Sequence, residues 1–235
     1  SSGRAVLLNG NRSTSIMINE EDHLRLQGLT AGWSIDSADS TVNSILADLE
    51  EKLDFAWTRR HGYLAASPYN AGQGRRLSAM FHLIGLAHAK RLSTILKAIS
   101  ARGIAARGLF GESSRAVGAF VQISITDGTR AEFIGACDYL MQEERGARSH
   151  VERGHLEERA SQAMEFAISS PTLTLADSLR VLGWARWAAS AQISGIRFAA
   201  REVDSWLTAL EIRNSASEEK ASRQRADYLR NRLDQ

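Results

Sequence analysis

Three polar clusters in this 235-residue chain combine residue types that can handle phosphate and guanidinium groups. The first is Asn19-Glu20-Glu21-Asp22-His23-Leu24-Arg25-Leu26-Gln27. In an extended backbone, residues two apart share a face, so Glu21, His23 and Arg25 are expected to project together. The plain alternative is a solvated acidic turn. The second cluster is Ser67-Pro68-Tyr69-Asn70-Ala71-Gly72-Gln73-Gly74-Arg75-Arg76. A glycine-rich loop ending in arginines can offer backbone N–H groups and guanidinium forks to phosphate oxygens. It matches neither the P-loop nor the dinucleotide fingerprint. The third is Arg107-Gly108-Leu109-Phe110-Gly111-Glu112-Ser113-Ser114, following an expected strand Ile104-Ala105-Ala106; its plain alternative is a turn with an exposed ion pair.

Taken together, the clusters supply two carboxylates, Glu21 and Glu112, and three arginines, Arg25, Arg76 and Arg107. Arginine forks suit a polyphosphate, because they hold its oxygens and neutralise transferring charge. Carboxylates suit a planar cation such as guanidinium, which they can hold bidentately.

The elements that must position these residues differ along the chain. Val6-Leu7-Leu8, Ser15–Ile18 and Ala119–Ser124 have strand length and composition. Val42, Ile45, Leu46, Leu49, Leu53 and Trp57 predict a helix stopping at Gly62; Leu92, Ile95, Leu96 and Ile99 predict another ending at Gly103. Beyond Gly128 only helices are expected, over 129–150, 151–169, 174–190, 192–212 and 217–233. Ser169-Ser170-Pro171 is a helix stop and Thr174 a cap for the next start. The reading is α+β, divided into 1–150 and an all-α module over 151–235.

Composition narrows the classes. Lys plus Arg number 29 and Asp plus Glu 27, a net charge of +2, too little to argue for nucleic acid even at pI 8.9. With 43% hydrophobic and 24% charged residues the chain is ordinary globular material. One cysteine, Cys137, excludes an internal disulfide, and the six histidines show no helical metal spacing. No apolar run approaches the ~20 residues of a membrane helix, and no signal peptide opens the chain. The expected setting is a reducing, cytoplasmic one. The chain opens at Ser1 without methionine and almost at once on a strand, so the gene product is expected to continue upstream.

The same residues carry a family resemblance. Asn-Glu-Glu-Asp-His-Leu-Arg at 19–25, Pro-x-Asn-x-Gly-x-Gly-x-Arg at 68–76 and Arg-Gly-x-x-Gly-Glu at 107–112 resemble, in order and spacing, the ATP:guanidino phosphotransferases. Gln142–Arg148 and Leu173–Leu182 are similar to the C-terminal helices of the family's bacterial, protein-arginine-kinase branch. The resemblance implies a twisted antiparallel sheet flanked by helices, the glutamine-synthetase-like catalytic fold, plus a helical module for dimerisation and regulation. It implies that Arg25, Arg76 and Arg107 clamp ATP phosphates, with Mg²⁺ bridging them. The backbones of Leu77, Ser78, Ala79, Met80, Gly108, Leu109, Phe110 and Gly111 would line the nucleotide. Glu21 and Glu112 would bind the acceptor guanidinium and take its proton. That proton must leave, because a guanidinium with pKa above ~12 is a poor nucleophile.

The chain also departs from the family. Ser67 stands where the family places a cysteine beside the substrate, so no thiolate charge is available there. Tyr69 replaces a small residue, and the family's N-terminal Ser-Ser-x-Ile-Arg segment has no counterpart. The branch's phosphoarginine-sensing Arg-Asp-x-x-Arg-Ala is matched by Ala221-Ser222-Arg223-Gln224-Arg225-Ala226, where Arg223 and Arg225 are the candidate pocket and an exposed helix face is the plain alternative. Three functional readings follow. The first is a protein arginine kinase with protein substrates, a homodimer and activator or protease-adaptor partners. The second is a catalytically silent regulatory or binding subunit, and the third a kinase of small guanidino compounds. Trp184, Trp187, Trp206, Phe198 and Ile196 are expected as core or dimer packing, and Cys137 as an inert buried thiol.

Overall fold

The computed structural model describes residues 3–109, 116–210 and 217–234. The chain forms two compact units, Ser1–Arg76 and Leu77–Gln235.

In the first unit, β1 (Ala5–Leu8), β2 (Thr14–Ile18) and β3 (Leu24–Gly28) form an antiparallel meander. Helix α1 (Ile35–Glu50) packs on β3, where a side chain at Gly28 would meet the Ala38 carbonyl at 2.8 Å. The helix ends at Glu50, short of Leu53 and Trp57, which the apolar spacing had included. Asp48, Glu50 and Glu51 place negative charge at the carbonyl end of the helix, whose last turn carries no base. Trp57 instead pairs with Tyr63 in a two-stranded ribbon, β4 (Trp57–Thr58) and β5 (Gly62–Tyr63). Gly62 is therefore a strand residue, not a helix cap. Its φ is +68° and a Cβ there would stand 2.1 Å from the Gly72 carbonyl, so only glycine fits.

The second unit is built on β6 (Leu77–His82), β7 (Ala105–Gly108) and β8 (Phe120–Ile125), ordered β6-β8-β7 and antiparallel throughout. Phe120, Val121, Ile123 and Ile125 of the central strand are buried, as expected for a strand covered by helices. Helices α2 (Ile84–His88), α3 (Leu92–Ser100), α4 (Arg130–Ser149), α5 (Arg153–Ser169), α6 (Leu175–Ser190), α7 (Ala200–Leu207) and α8 (Glu218–Leu233) complete it. Fold class and antiparallel pairing agree with the sequence reading, although the strands form three small sheets among the described residues.

Helix starts follow side-chain chemistry. Thr129 and Glu132 form a reciprocal capping box on α4, which holds the Glu132 carboxyl below its ordinary range. Thr174 caps α6 by accepting from the Asp177 N–H at 3.1 Å. Helix α7 is shorter than the expected 192–212 because Gln192 and Gly195 adopt φ of +54° and +86°, which a right-handed helix cannot contain.

One close approach ties the sheet to the helices. The turn before β8 meets α6 at Gly118 and Gly183: a Cβ on Gly118 would lie 2.1 Å from the Leu179 carbonyl, and one on Gly183 2.4 Å from the Gly118 carbonyl. Around it lie two apolar clusters, one holding Trp206, Leu182 and Leu229 and the other Trp187, Ile84 and Leu156. Trp184, Ile196 and Phe198 pack against these clusters, so all five residues expected as packing do pack. Cys137 is fully buried, and burial pushes its thiol up to about 12.

Candidate active site

In the 19–27 cluster, residues 19–23 form a hairpin turn and only Leu24–Gln27 are extended, as the start of β3. Asn19 sits at φ +53°, donates its N–H to the His23 carbonyl at 2.9 Å, and anchors its amide on the Gly3 carbonyl at 2.8 Å. The small polar Asn tolerates this left-handed backbone better than a bulky residue would. Residues 20–22 thus form the tip between β2 and β3, and alternation does not place Glu21, His23 and Arg25 on one face. Glu21 and Arg25 meet nevertheless, because the turn folds back on the strand. The Arg25 guanidinium lies 3.3 Å from a Glu21 oxygen through one nitrogen and 3.3 Å from a Glu20 oxygen through another. All three side chains are about half exposed, at 45–53%. A guanidinium held by two carboxylates is the recognition that an arginine acceptor requires.

Asp22 turns the other way. Its two oxygens accept from the Ala66 N–H and the Asn70 side-chain amide, each at 2.8 Å. They span a one-turn 3₁₀ segment, Pro68–Asn70, closed by the Asn70 N–H on the Ser67 carbonyl. Ser67 lies half-buried inside this bracket, whereas Tyr69 is 90% exposed and fills no gap in its own unit. Arg75 pairs with Asp39 of α1 at 2.6 Å; Arg76, the next residue, is exposed.

In the second unit, strand register groups further candidates. Met80 of β6 and Arg107 of β7 both pair with Gln122 of β8, and Ser78 pairs with Ser124. Directly paired residues share a face, so Ser78, Met80 and Arg107 lie on one side of the sheet while Leu77 and Ala79 lie on the other. Ser78, Met80 and Arg107 are exposed. Register also brings in a residue that the motifs passed over: Gln122 stands between Met80 and Arg107 on the central strand. Its sequence signal was one polar side chain in the middle of an apolar run. Gly108 is buried at the end of β7 and Leu109 half-buried beyond it. Phe110, Gly111 and Glu112 lie outside the described residues.

The candidate phosphoarginine residues are not brought together. Arg225 is buried, donating to the carbonyls of Leu210 and Leu173 and gripping Glu218 at 2.7 and 3.2 Å. Arg223 points to solvent and pairs with Glu219 one turn back. A cavity of about 360 Å³, lined by Ile84, His88, Gly118, Arg180 and Trp184 among others, holds no residue of the three polar clusters. Among the described residues no group of three or more His, Cys, Asp or Glu could hold a metal ion, and no helix is long and apolar enough to cross a membrane.

Comparison with known proteins supplies the deciding observation. Residues 1–128, more than half of the chain, match the model of the ATP:guanido phosphotransferase C-terminal catalytic domain. The chain belongs to this family. Curated relatives of the chain include the protein-arginine kinase of Halothermothrix orenii, 45% identical over 154 residues that cover 63% of this chain and 44% of the relative. That of Clostridium novyi is 37% identical over 190 residues, covering 77% of this chain and 55% of the relative. The chain thus spans about half the length of these relatives. Among solved structures, a lombricine kinase superposes with TM-score 0.53 at 25% identity, covering 63% of this chain and 43% of that one. The taurocyamine kinase of Schistosoma mansoni, at 22% identity, gives TM-score 0.52 over 75% of this chain and 26% of that one, which speaks for the fold alone.

Proposed function

We propose that this chain is part of a protein arginine kinase that transfers the γ-phosphate of ATP to arginine side chains of proteins. The observation that carries the reading is the match to the family's catalytic domain over residues 1–128, containing all three motif clusters. Relatives named for that activity favour it over a silent binding subunit. In this reading 1–150 is the catalytic portion and 151–235 a helical module serving dimerisation and regulation. The protein works in the cytoplasm, with arginine-bearing protein substrates and activator or protease-adaptor partners.

The chemistry follows from the side chains. Glu21 and Glu112 hold the acceptor guanidinium, orient its attacking nitrogen and take a proton from it as the N–P bond forms and the bond to the ADP oxygen breaks. Arg25, Arg76 and Arg107 neutralise the transferring phosphoryl group. Leu77–Met80 and Gly108–Gly111 lie along the nucleotide, and Ser67 lies on the acceptor side. Mg²⁺, when bound with ATP, would add to the neutralisation of phosphate charge that Arg25, Arg76 and Arg107 provide. Incubation of the longest native form with Mg·ATP and an arginine-rich protein, followed by mass spectrometry without acid, tests the reading. Phosphoarginine that disappears in Glu112→Ala supports it; undiminished product in that variant overturns the assignment of Glu112, and no product from the wild type overturns the kinase itself.

A further inference from the structure

We infer that Asp22 is a positioning residue that locks the Glu21 turn to the Ser67 loop and so sets the geometry of the acceptor side; the inference rests on the kinase reading above. Three consecutive acids form the tip of the β2–β3 hairpin, and they divide their work. Glu20 and Glu21 both face Arg25, whereas Asp22 faces Ala66 and Asn70. Each Asp22 oxygen takes one donor at 2.8 Å, and the donors lie 44 and 48 residues away in sequence. Hydrogen bonds to a charged acceptor are the stronger kind, and two on one carboxylate fix orientation as well as distance.

The geometry of the bracket matters because of what lies inside it. Ala66 and Asn70 flank Ser67, Pro68 and Tyr69, so the two bonds pin the loop at both ends. Pro68 fixes its own φ and the Asn70 N–H closes the turn, leaving the loop little freedom beyond its attachment. On the other side Glu21 is the residue bonded to Asp22, so any movement of the Asp22 backbone moves Glu21 with it. Asp22 is half-buried between these segments, unlike its two exposed acidic neighbours. A carboxylate in this position therefore sets how the acceptor-binding Glu21 stands relative to Ser67, without itself touching substrate.

The test compares wild type with Asp22→Asn, Asn70→Ala and the exchange pair Asp22→Asn with Asn70→Asp. In Asp22→Asn the amide keeps an acceptor for Ala66 but turns an NH₂ group toward the NH₂ of Asn70. Phosphoarginine formation on an arginine-rich protein is expected to lose about ten- to a hundredfold in kcat/KM for the acceptor, the worth of a charged hydrogen bond. Binding of Mg·ATP should change little, since the lost bonds reach Ala66 and Asn70 and not the arginines assigned to the phosphates. In the exchange pair the amide introduced at position 22 donates to the carboxylate introduced at position 70. Activity is then expected to return to within about threefold of wild type, which simple loss of a structural contact would not predict. An active wild type with unaffected Asp22→Asn, or with no rescue in the exchange pair, overturns the inference alone. A wild type that makes no phosphoarginine removes the kinase reading and this inference with it.

Discussion

The Arg25 guanidinium and the Glu21 carboxylate stand 3.3 Å apart across the tip of one hairpin, so a residue expected to bind phosphate and one expected to bind guanidinium are partners of each other. The pair is half exposed and stabilises the fold little, because water screens it. In the proposed kinase its cost is functional: each partner would exchange the other for the ligand assigned to it. Glu21→Gln should therefore leave the melting temperature nearly unchanged and lower kcat for arginine phosphorylation about a hundredfold or more, the usual contribution of a positioned acid–base group. Steady-state kinetics beside a thermal melt check this.

Arg25→Lys follows from the same geometry. Lysine keeps the charge but loses the planar fork that reaches Glu20 and Glu21 through separate nitrogens. The expected outcome is Mg·ATP binding weakened roughly tenfold with stability unaltered, since an exposed pair is worth at most ~1 kcal/mol. Calorimetric titration of nucleotide measures it; unchanged affinity would remove Arg25 from the phosphate clamp.

Glu144 shows a carboxylate used for structure rather than chemistry. Buried at 7% exposure, it accepts the N–H groups of Gly85 and Leu86 at 2.9 Å each and pairs with Arg148 at 2.6 Å. It thus satisfies the open end of α2, which has no cap of its own. Glu144→Ala strands two buried N–H groups and the Arg148 charge, so unfolding free energy should fall by about 3–5 kcal/mol. Its neighbour Glu143 pairs with an Arg91 that is half exposed, and Glu143→Ala should cost less than about 1 kcal/mol. Urea denaturation of the two variants compares them directly.

These residues show what was legible in the sequence. Period and caps placed β1, β2, β8, α3 to α6 and α8, because apolar spacing and the Thr174 cap act locally. Strand β3 is only half legible, because Leu24-Arg25-Leu26-Gln27 belongs to a cluster whose charges dominate, and β6 is missed because Leu77–Met80 stands out only for its expected place along the nucleotide. The short ribbon of Trp57 and Tyr63 has no period to detect. Motifs named Glu21, Arg25, Arg76 and Arg107 by type. They could not show Asp22 reaching Ala66 and Asn70, or Gln122 lying between Met80 and Arg107, because those relations are set by pairing between distant segments.

Arg225 and Arg223, close neighbours in the sensor-like motif, should respond oppositely to truncation. Arg225→Ala leaves the carbonyls of Leu173 and Leu210 without their donor and should cost about 2–3 kcal/mol or more, whereas Arg223→Ala should stay within about 0.5 kcal/mol. Arg225 also holds the Glu218 carboxyl below its ordinary range by direct hydrogen bonding. A carboxyl with a depressed folded pKa stabilises above its unfolded value and loses that contribution as pH falls through the folded one. In Arg225→Ala the Glu218 titration should move upward, which carbonyl-detected NMR can follow.

His82 supplies a pH dependence of its own. It ends β6, stacks on Phe120 with ring centroids 4.8 Å apart, and its Nε2 has no hydrogen-bond partner. Burial first, and then the positive charges of Arg186 and Arg148, push its pKa down to about 3 from 6.5. Those charges are themselves fixed, Arg186 on Asp204 and Arg148 on Glu144. The folded protein thus keeps the ring neutral where the unfolded chain would protonate it. Between pH 6.5 and about 3 the unfolded state binds the extra proton, so stability must fall as pH falls through that window. The slope approaches ~1.4 kcal/mol per pH unit for one proton. Phenylalanine can stack on Phe120 without titrating, so urea unfolding of His82→Phe between pH 7.5 and 5 should lack this part of the wild-type slope. Parallel slopes for the two proteins would show that His82 is accessible to protons in the folded state.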